Sequence, residues 1–158
     1  MEKFETHSGK AALLKRENID TDQIIPKEYL KSIKRTGFDK GLFAYWRFDD
    51  QGNLKDDFAL NQPKNLGATI LLVGNNFGCG SSREHAVWAL QQFGFKVIIA
   101  PTKEQNGQVI PGFADIFRSN SGKNGLLLIE LAADSYEQLV QAFQKSMGTL
   151  NIDLPNKS

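Results

Sequence analysis

Serines, glycines and an arginine are concentrated in one short stretch of the chain, residues 74–85, which reads Gly-Asn-Asn-Phe-Gly-Cys-Gly-Ser-Ser-Arg-Glu-His. Glycine allows a backbone with positive φ and lets a ligand approach the main chain closely. The hydroxyls of Ser81 and Ser82 can donate hydrogen bonds to an anion, and the guanidinium of Arg83 can bind a carboxylate through two parallel N–H groups. These residue types predict a site for a carboxylate or a phosphate.

The flanking segments predict that this stretch is a turn from a strand into a helix. The apolar run of residues 68–73 is typical of a buried strand. After the turn, Ala86, Ala89, Leu90 and Phe93 recur at the spacing of one helix face. The first N–H groups of a helix have no partner within the helix, and the helix dipole favours negative charge there. The predicted helix start therefore reinforces the anion site.

Common motifs for phosphate binding and for nucleophilic serines fit this turn poorly. A P-loop needs a lysine that the turn lacks, and a dinucleotide fingerprint begun at Gly78 would require glycine at the position of Arg83. A nucleophile elbow around Ser81 would require glycine at the positions of Cys79 and Arg83. From residue types alone, the alternative of a tight turn capped by serine, with Arg83 in solvent, stays open.

Size and composition predict one globular domain over residues 1–158, with 41% hydrophobic and 23% charged residues. The net charge of +1 argues against a nucleic-acid partner or an anionic membrane. No apolar run approaches the roughly 20 residues of a membrane-spanning helix, and the N-terminus lacks an apolar signal core. The single cysteine suggests a reducing setting, so we expect a cytoplasmic protein.

The metal-binding capacity predicted for this chain is low. Its single cysteine excludes an internal disulfide and an iron–sulfur cluster held by this chain alone, because such a cluster needs several thiolates. The only histidines, His7 and His85, are far apart in sequence, so no metal-ligand cluster is visible. Cys79 could be a reactive thiol at a helix start, but without a neighbouring base in sequence we favour a small buried side chain.

Two strings of the sequence resemble a known family. Residues 77–90, Phe-Gly-Cys-Gly-Ser-Ser-Arg-Glu-His-Ala-Val-Trp-Ala-Leu, closely resemble the signature of the swivelling domain of the aconitase superfamily, in particular that of 3-isopropylmalate dehydratase small subunits. Residues 20–26, Asp-Thr-Asp-Gln-Ile-Ile-Pro, followed by Tyr29 and Leu30, resemble the second motif of the same family. The resemblance implies an α/β fold, a swivelling β/β/α domain of the aconitase C-terminal type with a mixed sheet and flanking helices. Because the resembled subunits continue for a few more elements, we keep open that C-terminal elements are missing from residues 1–158.

The resemblance also implies roles for individual residues. Ser81 would be the catalytic base, and Arg83 would assist it and bind a substrate carboxylate that Ser82 orients beside Gly80. Thr21 and Asp22 would face the active-site interface, with Asp22 able to orient a group of the partner subunit, and His85 would lie at the interface or support the site. A specificity loop is implied over residues 29–36, for which we single out Tyr29, Leu30, Lys31, Arg35 and Thr36. The alternative for the basic part of that loop is a solvated helix face.

The reaction implied by the resemblance is the isomerisation of 2-isopropylmalate and 3-isopropylmalate by dehydration and rehydration through 2-isopropylmaleate, in leucine biosynthesis. The leaving hydroxide would need a Lewis acid, which the family takes from a 4Fe–4S cluster on a separate large subunit. We therefore expect a large-subunit partner, no cofactor bound by this chain and no activity from this chain alone. Two alternatives remain: a small subunit for another diacid, such as homoaconitase or a citraconate or methylmalate hydratase, and a non-catalytic anion-binding module.

The rest of the chain predicts a parallel strand–helix–strand crossover around the central turn and a few further elements. The segment of residues 103–112 is interpreted as a loop and that of residues 119–125 as a polar turn. Helices are predicted over residues 28–35 and after Asp134, where a capping-box-like start precedes an amphipathic pattern. The remaining predicted elements are strands over residues 11–14, 95–100, 126–131 and 149–154.

Overall fold

The computed structural model describes residues 6–14, 16–30, 37–80, 83–145 and 149–153. Its main sheet has the strand order β6-β3-β2-β1-β7. These strands are β1 (Thr6–Leu13), β2 (Ile70–Leu72), β3 (Val97–Pro101), β6 (Leu127–Leu131) and β7 (Thr149–Asp153). The first four strands in this order are parallel, and β7 runs antiparallel to β1. The implied mixed sheet is therefore confirmed, with the last strand at one edge.

Helices cover both faces of the sheet. Alternate residues of each strand face opposite sides, and the apolar residues on each side pack against helices. One face packs against α3 (Glu84–Phe93) and α4 (Asp115–Asn124), and the other packs against α5 (Ala133–Lys145). Leu71 and Ile98 belong to the first core, whereas Ile70 and Val97 belong to the second. Two short helices, α1 (Thr21–Ile24) and α2 (Ala44–Arg47), lie in the connection between β1 and β2. In the described part of the chain, no helix is long and apolar enough to cross a membrane.

The predicted crossover around the central turn is confirmed. Strands β2 and β3 are parallel, and α3 connects them. Ala86, Ala89 and Leu90 of the predicted helix face have no exposed surface. The helix ends at Gly94, whose φ of 122° is unfavourable for other residue types. This crossover fixes the glycine-rich stretch at the carboxyl end of β2, where ligands commonly bind in α/β sheets.

The prediction of a loop over residues 103–112 is wrong. The segment forms a hairpin of β4 (Lys103–Gln105) and β5 (Gln108–Ile110), paired antiparallel. Asn106 and Gly107 form the connecting turn with φ angles of 53° and 78°. Asn-Gly is a strong signal for a two-residue hairpin turn, but the polar flanking residues obscured the two strands.

The prediction of a polar turn over residues 119–125 is also wrong, since α4 continues through Asn124 and only Gly125, with a φ of 77°, ends it. Polarity was misleading because two polar side chains of this helix, Asn120 and Ser121, are buried. The helix predicted to begin near Glu28 is a 3₁₀ turn over Lys27–Tyr29, and its residues 31–36 lie outside the described part of the chain.

Candidate functional site

The glycine turn, which we define as residues 74–80, is bound on one flank by the segment that precedes α1. The Gly78 N–H donates to the Ile19 carbonyl at 2.8 Å, and the Thr21 N–H donates to the Cys79 carbonyl at 3.0 Å. These bonds join two stretches that are far apart in sequence. The two family-like motifs are therefore neighbours in space.

The other flank of the glycine turn is bound by the segment that precedes α4. The Asn76 N–H donates to the Pro111 carbonyl at 3.0 Å, and the Phe77 N–H donates to the Gly112 carbonyl at 2.8 Å. In return, the Ala114 N–H donates to the Phe77 carbonyl at 3.0 Å. The turn thus takes its shape from backbone bonds on both sides.

Two glycines of the turn meet specific steric demands. Gly78 has a φ of 82°, and a Cβ there would overlap the ring of Phe117 from α4. Gly80 has a φ of 90°, and a Cβ there would lie 3.4 Å from Cβ of Asp20. Because positive φ is strained for other residue types, and because Phe117 leaves no room, Gly78 is restricted on both grounds.

Arg83 immediately precedes helix α3, as its N-cap, and is held against the first motif. Its Nη1 forms an ion pair with Oδ1 of Asp22 and donates to the Ile25 carbonyl at 3.4 Å. The Arg83 side chain is 14% exposed and that of Asp22 is 54% exposed. Both contacts use Nη1, so within the described residues Nε and Nη2 retain donors for another acceptor. The alternative of a solvated Arg83 does not fit this arrangement.

Asp22 is presented by a helix that is only four residues long, and local capping explains its stability. The Gln23 N–H donates to Oδ1 of Asp20 at 2.8 Å, and the Asp20 N–H donates to Oε1 of Gln23 at 3.0 Å. This reciprocal capping box satisfies two N–H groups at the helix start. Thr21 is 3% exposed and anchors the segment, whereas Asp22 faces Arg83.

The predicted site residues outside the described part of the chain are Ser81, Ser82, Lys31, Arg35 and Thr36. Of the predicted specificity loop, Tyr29 is 38% exposed and Leu30 packs against the core under α3. Tyr29 lines a cleft of about 700 Å³ together with Glu28 and Tyr45. Of these two predicted loop residues, Tyr29 is therefore available to a ligand or partner at the surface, whereas Leu30 contributes to the core.

Tyr45 is a neighbour of this surface that sequence reasoning missed. It is 55% exposed, and its hydroxyl donates to Oε1 of Glu28 at 2.9 Å. This hydrogen bond is the largest of several causes that raise the pKa of Tyr45, and the nearby charge of Asp22 adds to it. Tyr45 lies within an aromatic run that the sequence predicts to pack in the core, and the neighbouring Phe43 and Trp46 do pack there. Nothing in the sequence distinguishes Tyr45 from these neighbours.

His85 lies in an aromatic cluster. Its ring is 5.1 Å from that of Phe38 and 4.9 Å from that of Trp88, both with edge-to-face geometry. Such contacts hold the start of α3 against the segment that follows the predicted specificity loop. In this chain His85 therefore packs between the segment around Phe38 and the first turns of α3.

Cys79 is partly buried, and its Sγ donates to the Asn18 carbonyl at 3.5 Å. Burial, followed by the charge of Asp20, raises the pKa of the Cys79 thiol. The favoured interpretation of an unreactive filler agrees with this direction. Since only the thiolate reacts, we expect alkylation of Cys79 by iodoacetamide to be slower than that of a free thiol at pH 8, and to accelerate only at higher pH. A rate at pH 8 equal to that of glutathione would contradict this prediction.

A 4Fe–4S cluster does not fit the donor set of this chain. Its one cysteine bonds to a backbone carbonyl and has a raised pKa, whereas cluster ligands are several deprotonated thiolates. Across the ranges that the structure describes, no three of the His, Cys, Asp and Glu side chains are grouped to hold a metal ion. What the site offers is a half-buried cation beside a rigid glycine turn at a helix start.

Known proteins share both the sequence and the fold. Residues 1–134 match the family model of the aconitase C-terminal domain. The 3-isopropylmalate dehydratase small subunit of Bacillus subtilis is 50% identical over 157 residues, and that of Oceanobacillus iheyensis is 51% identical. These alignments cover 99% of this chain and 74% and 75% of the two relatives.

A solved structure gives the same family. The crystal structure of 3-isopropylmalate dehydratase (leuD) from Methanocaldococcus jannaschii superposes with a TM-score of 0.57 at 30% identity, covering 82% of this chain and 64% of that one. The family model, the curated relatives and the solved structure agree with one another. The chain belongs to the aconitase C-terminal domain family and, within it, to the 3-isopropylmalate dehydratase small subunits.

Proposed function

We propose that this chain is the small subunit of a 3-isopropylmalate dehydratase and that it isomerises 2-isopropylmalate and 3-isopropylmalate together with a large subunit. The observation that carries the proposal is the guanidinium of Arg83, held half-buried by Asp22 beside the glycine turn. A diacid substrate needs such a cation to bind one of its carboxylates. The dehydration removes a proton and a hydroxide, and rehydration returns them with the hydroxyl on the neighbouring carbon.

The proton-transfer step would belong to this chain. The proton lies next to a carboxylate and is only weakly acidic, so its removal builds extra negative charge on that carboxylate. Ser81 would accept the proton as an alkoxide, which requires the site to lower the pKa of the hydroxyl. Arg83 follows two residues later, and a cation and backbone N–H groups at a helix start favour the charged form of such a group.

Binding of the substrate carboxylate would use the N–H groups of Arg83 that do not contact Asp22. Nη1 of Arg83 contacts Asp22 and the Ile25 carbonyl, while Nε and Nη2 point to no acceptor among the described residues. A carboxylate at these two donors would be bound in bidentate fashion. Ser82 and the main chain at Gly80 would complete the binding site, and Asp22 would keep the guanidinium oriented.

Departure of the hydroxide would be the task of the large subunit, since the donors of this chain do not fit the cluster that the family uses for this chemistry. The small-subunit names of the relatives are consistent with this division. The exposed surface around Asp22, Tyr29 and Tyr45 borders Arg83 and would face that partner. We propose that the protein acts in the cytoplasm as part of such a complex.

Co-purification with the cognate large subunit under anaerobic conditions tests this function. The complex is assayed in parallel with isopropylmalate, homocitrate and citrate, and each subunit is also assayed alone. We expect turnover of isopropylmalate by the complex and by neither subunit alone. Preference for homocitrate or citrate would show that the substrate is not isopropylmalate but one of these other acids. A complex that binds the substrates but turns over none would favour the anion-binding module.

A further inference from the structure

Beyond the residues already considered, the geometry points to Asn124, at the end of α4, as a positioning residue for Arg83. We infer that Asn124 fixes the first turn of α3 through Glu84, the residue next to Arg83. This inference rests on the proposed function in so far as Arg83 binds substrate. Neither residue is among the predicted site residues, and Asn124 ends a helix whose polar composition is typical of a turn.

The side chain of Asn124 joins α4 to α3 and is hydrogen-bonded through both of its N–H donors and through its oxygen. Its Nδ2 donates to Oε2 of Glu84 at 2.8 Å and to the Asn120 carbonyl at 2.8 Å. Its Oδ1 accepts from Nε1 of Trp88 at 3.1 Å, and its backbone carbonyl accepts from Nε2 of Gln91 at 2.7 Å. Two donors and one acceptor are therefore matched by partners that require them in this orientation.

The contact reaches Arg83 through the first turn of α3. The Arg83 carbonyl accepts from the Ala86 N–H at 3.2 Å, so the backbone of Arg83 belongs to that turn. The Arg83 side chain makes no capping bond that would hold the helix start from its own end. Glu84 lies in this turn, and its carboxylate is held by Asn124. A helix end frays when its side-chain contacts are lost, so releasing Glu84 would let Arg83 move away from Asp22.

The chemistry of this pair makes the inference testable by a charge change. Asn124→Asp places a carboxylate where an amide donates to Glu84, and two carboxylates in contact repel unless they share a proton. At pH 8 we expect kcat/KM of the complex to fall by about 10- to 100-fold, mainly through a higher KM, because a hydrogen bond to a charged group is replaced by repulsion. Relative to the wild type at the same pH, the activity should recover towards pH 5.5.

Two further variants and one control separate positioning from general destabilisation. The swap Glu84→Gln with Asn124→Asp restores a donor–acceptor pair, so it should recover part of the loss and abolish the pH dependence. Glu84→Ala breaks the link from the α3 side and should raise KM while lowering the unfolding temperature by only a few degrees, as expected for the loss of one hydrogen bond. Lys123→Ala, the exposed neighbour of Asn124, should behave as the wild type.

Hydrogen exchange gives a readout that does not depend on turnover. In the isolated subunit, Asn124→Asp and Glu84→Ala should lower protection of amides 86–88, the first amides bonded within α3, against the wild type at the same pH, while amides 90–93 stay protected. The swap should restore protection. Unchanged protection at residues 86–88, or a loss in Asn124→Asp that is independent of pH and not reduced by the swap, would overturn the inference. An inactive wild-type complex would refute the proposed function alone, because the exchange result still decides the positioning role.

Discussion

Substitution of Ser81 by alanine is expected to lower kcat of the complex by about 10²–10⁴-fold, the contribution typical of a positioned general base. The methyl group cannot accept the substrate proton, whereas Arg83 and the glycine turn remain to bind the carboxylates. KM and association with the large subunit should therefore change little. The measurement is steady-state turnover of isopropylmalate by the purified complex.

A second measurement isolates the proton transfer. Substrate labelled with deuterium at the reacting carbon should lose its label to solvent with the wild-type complex and retain it with Ser81→Ala. Ser119→Ala, an exposed serine on α4, is the matched control and should exchange and turn over normally. If Ser81→Ala retained wild-type turnover, the base would have to be another group.

Replacement of Arg83 by lysine is expected to reduce kcat/KM by about 10- to 150-fold, since a charged hydrogen bond contributes roughly 1.5–3 kcal/mol. Lysine keeps the charge but offers no planar pair of N–H groups, so a bidentate contact to a carboxylate is lost. It also lacks the reach to hold Asp22 and the Ile25 carbonyl while binding substrate. Most of the loss should appear as a higher KM.

The control for this change is Arg118→Lys. Arg118 also pairs with a carboxylate, since its Nη2 lies 2.8 Å from Oε2 of Glu130, but it is half-exposed and lies on α4. Its replacement should leave kcat and KM unchanged, because surface ion pairs contribute little. Equal effects of the two arginine substitutions, or a wild-type KM in Arg83→Lys, would contradict a role for Arg83 in carboxylate binding.

The strongly periodic parts of the fold were accessible from the sequence. The apolar runs that became β2, β3 and β6, and the apolar face of α3, each show one dominant pattern. Elements whose polar residues face inward were missed. Helix α4 buries Asn120 and Ser121, so its composition resembles a turn although packing of Phe117 stabilises a helix. The hairpin of β4 and β5 was missed for a different reason: its strands are largely exposed, so they lack the apolar pattern of a buried strand.

The composition of the candidate site was predictable, but its internal pairing was not. The resemblance indicated Asp22 and Arg83 separately and gave Asp22 a role towards the partner subunit, whereas the structure pairs the two within one chain. Such a contact depends on the path of the backbone between distant motifs. The same applies to the hydrogen bond between Glu84 and Asn124, which links the start of α3 to the end of α4.

The glycine turn has a consequence for how the protein acquires its ligand affinity. Its shape is imposed by one segment from much earlier in the chain and by another from much later. Both long loops must close before the donors converge, so recognition is a property of the completed tertiary structure and is absent from the nascent polypeptide. By thermodynamic linkage, a dicarboxylate that occupies this turn would protect the entire domain against denaturation.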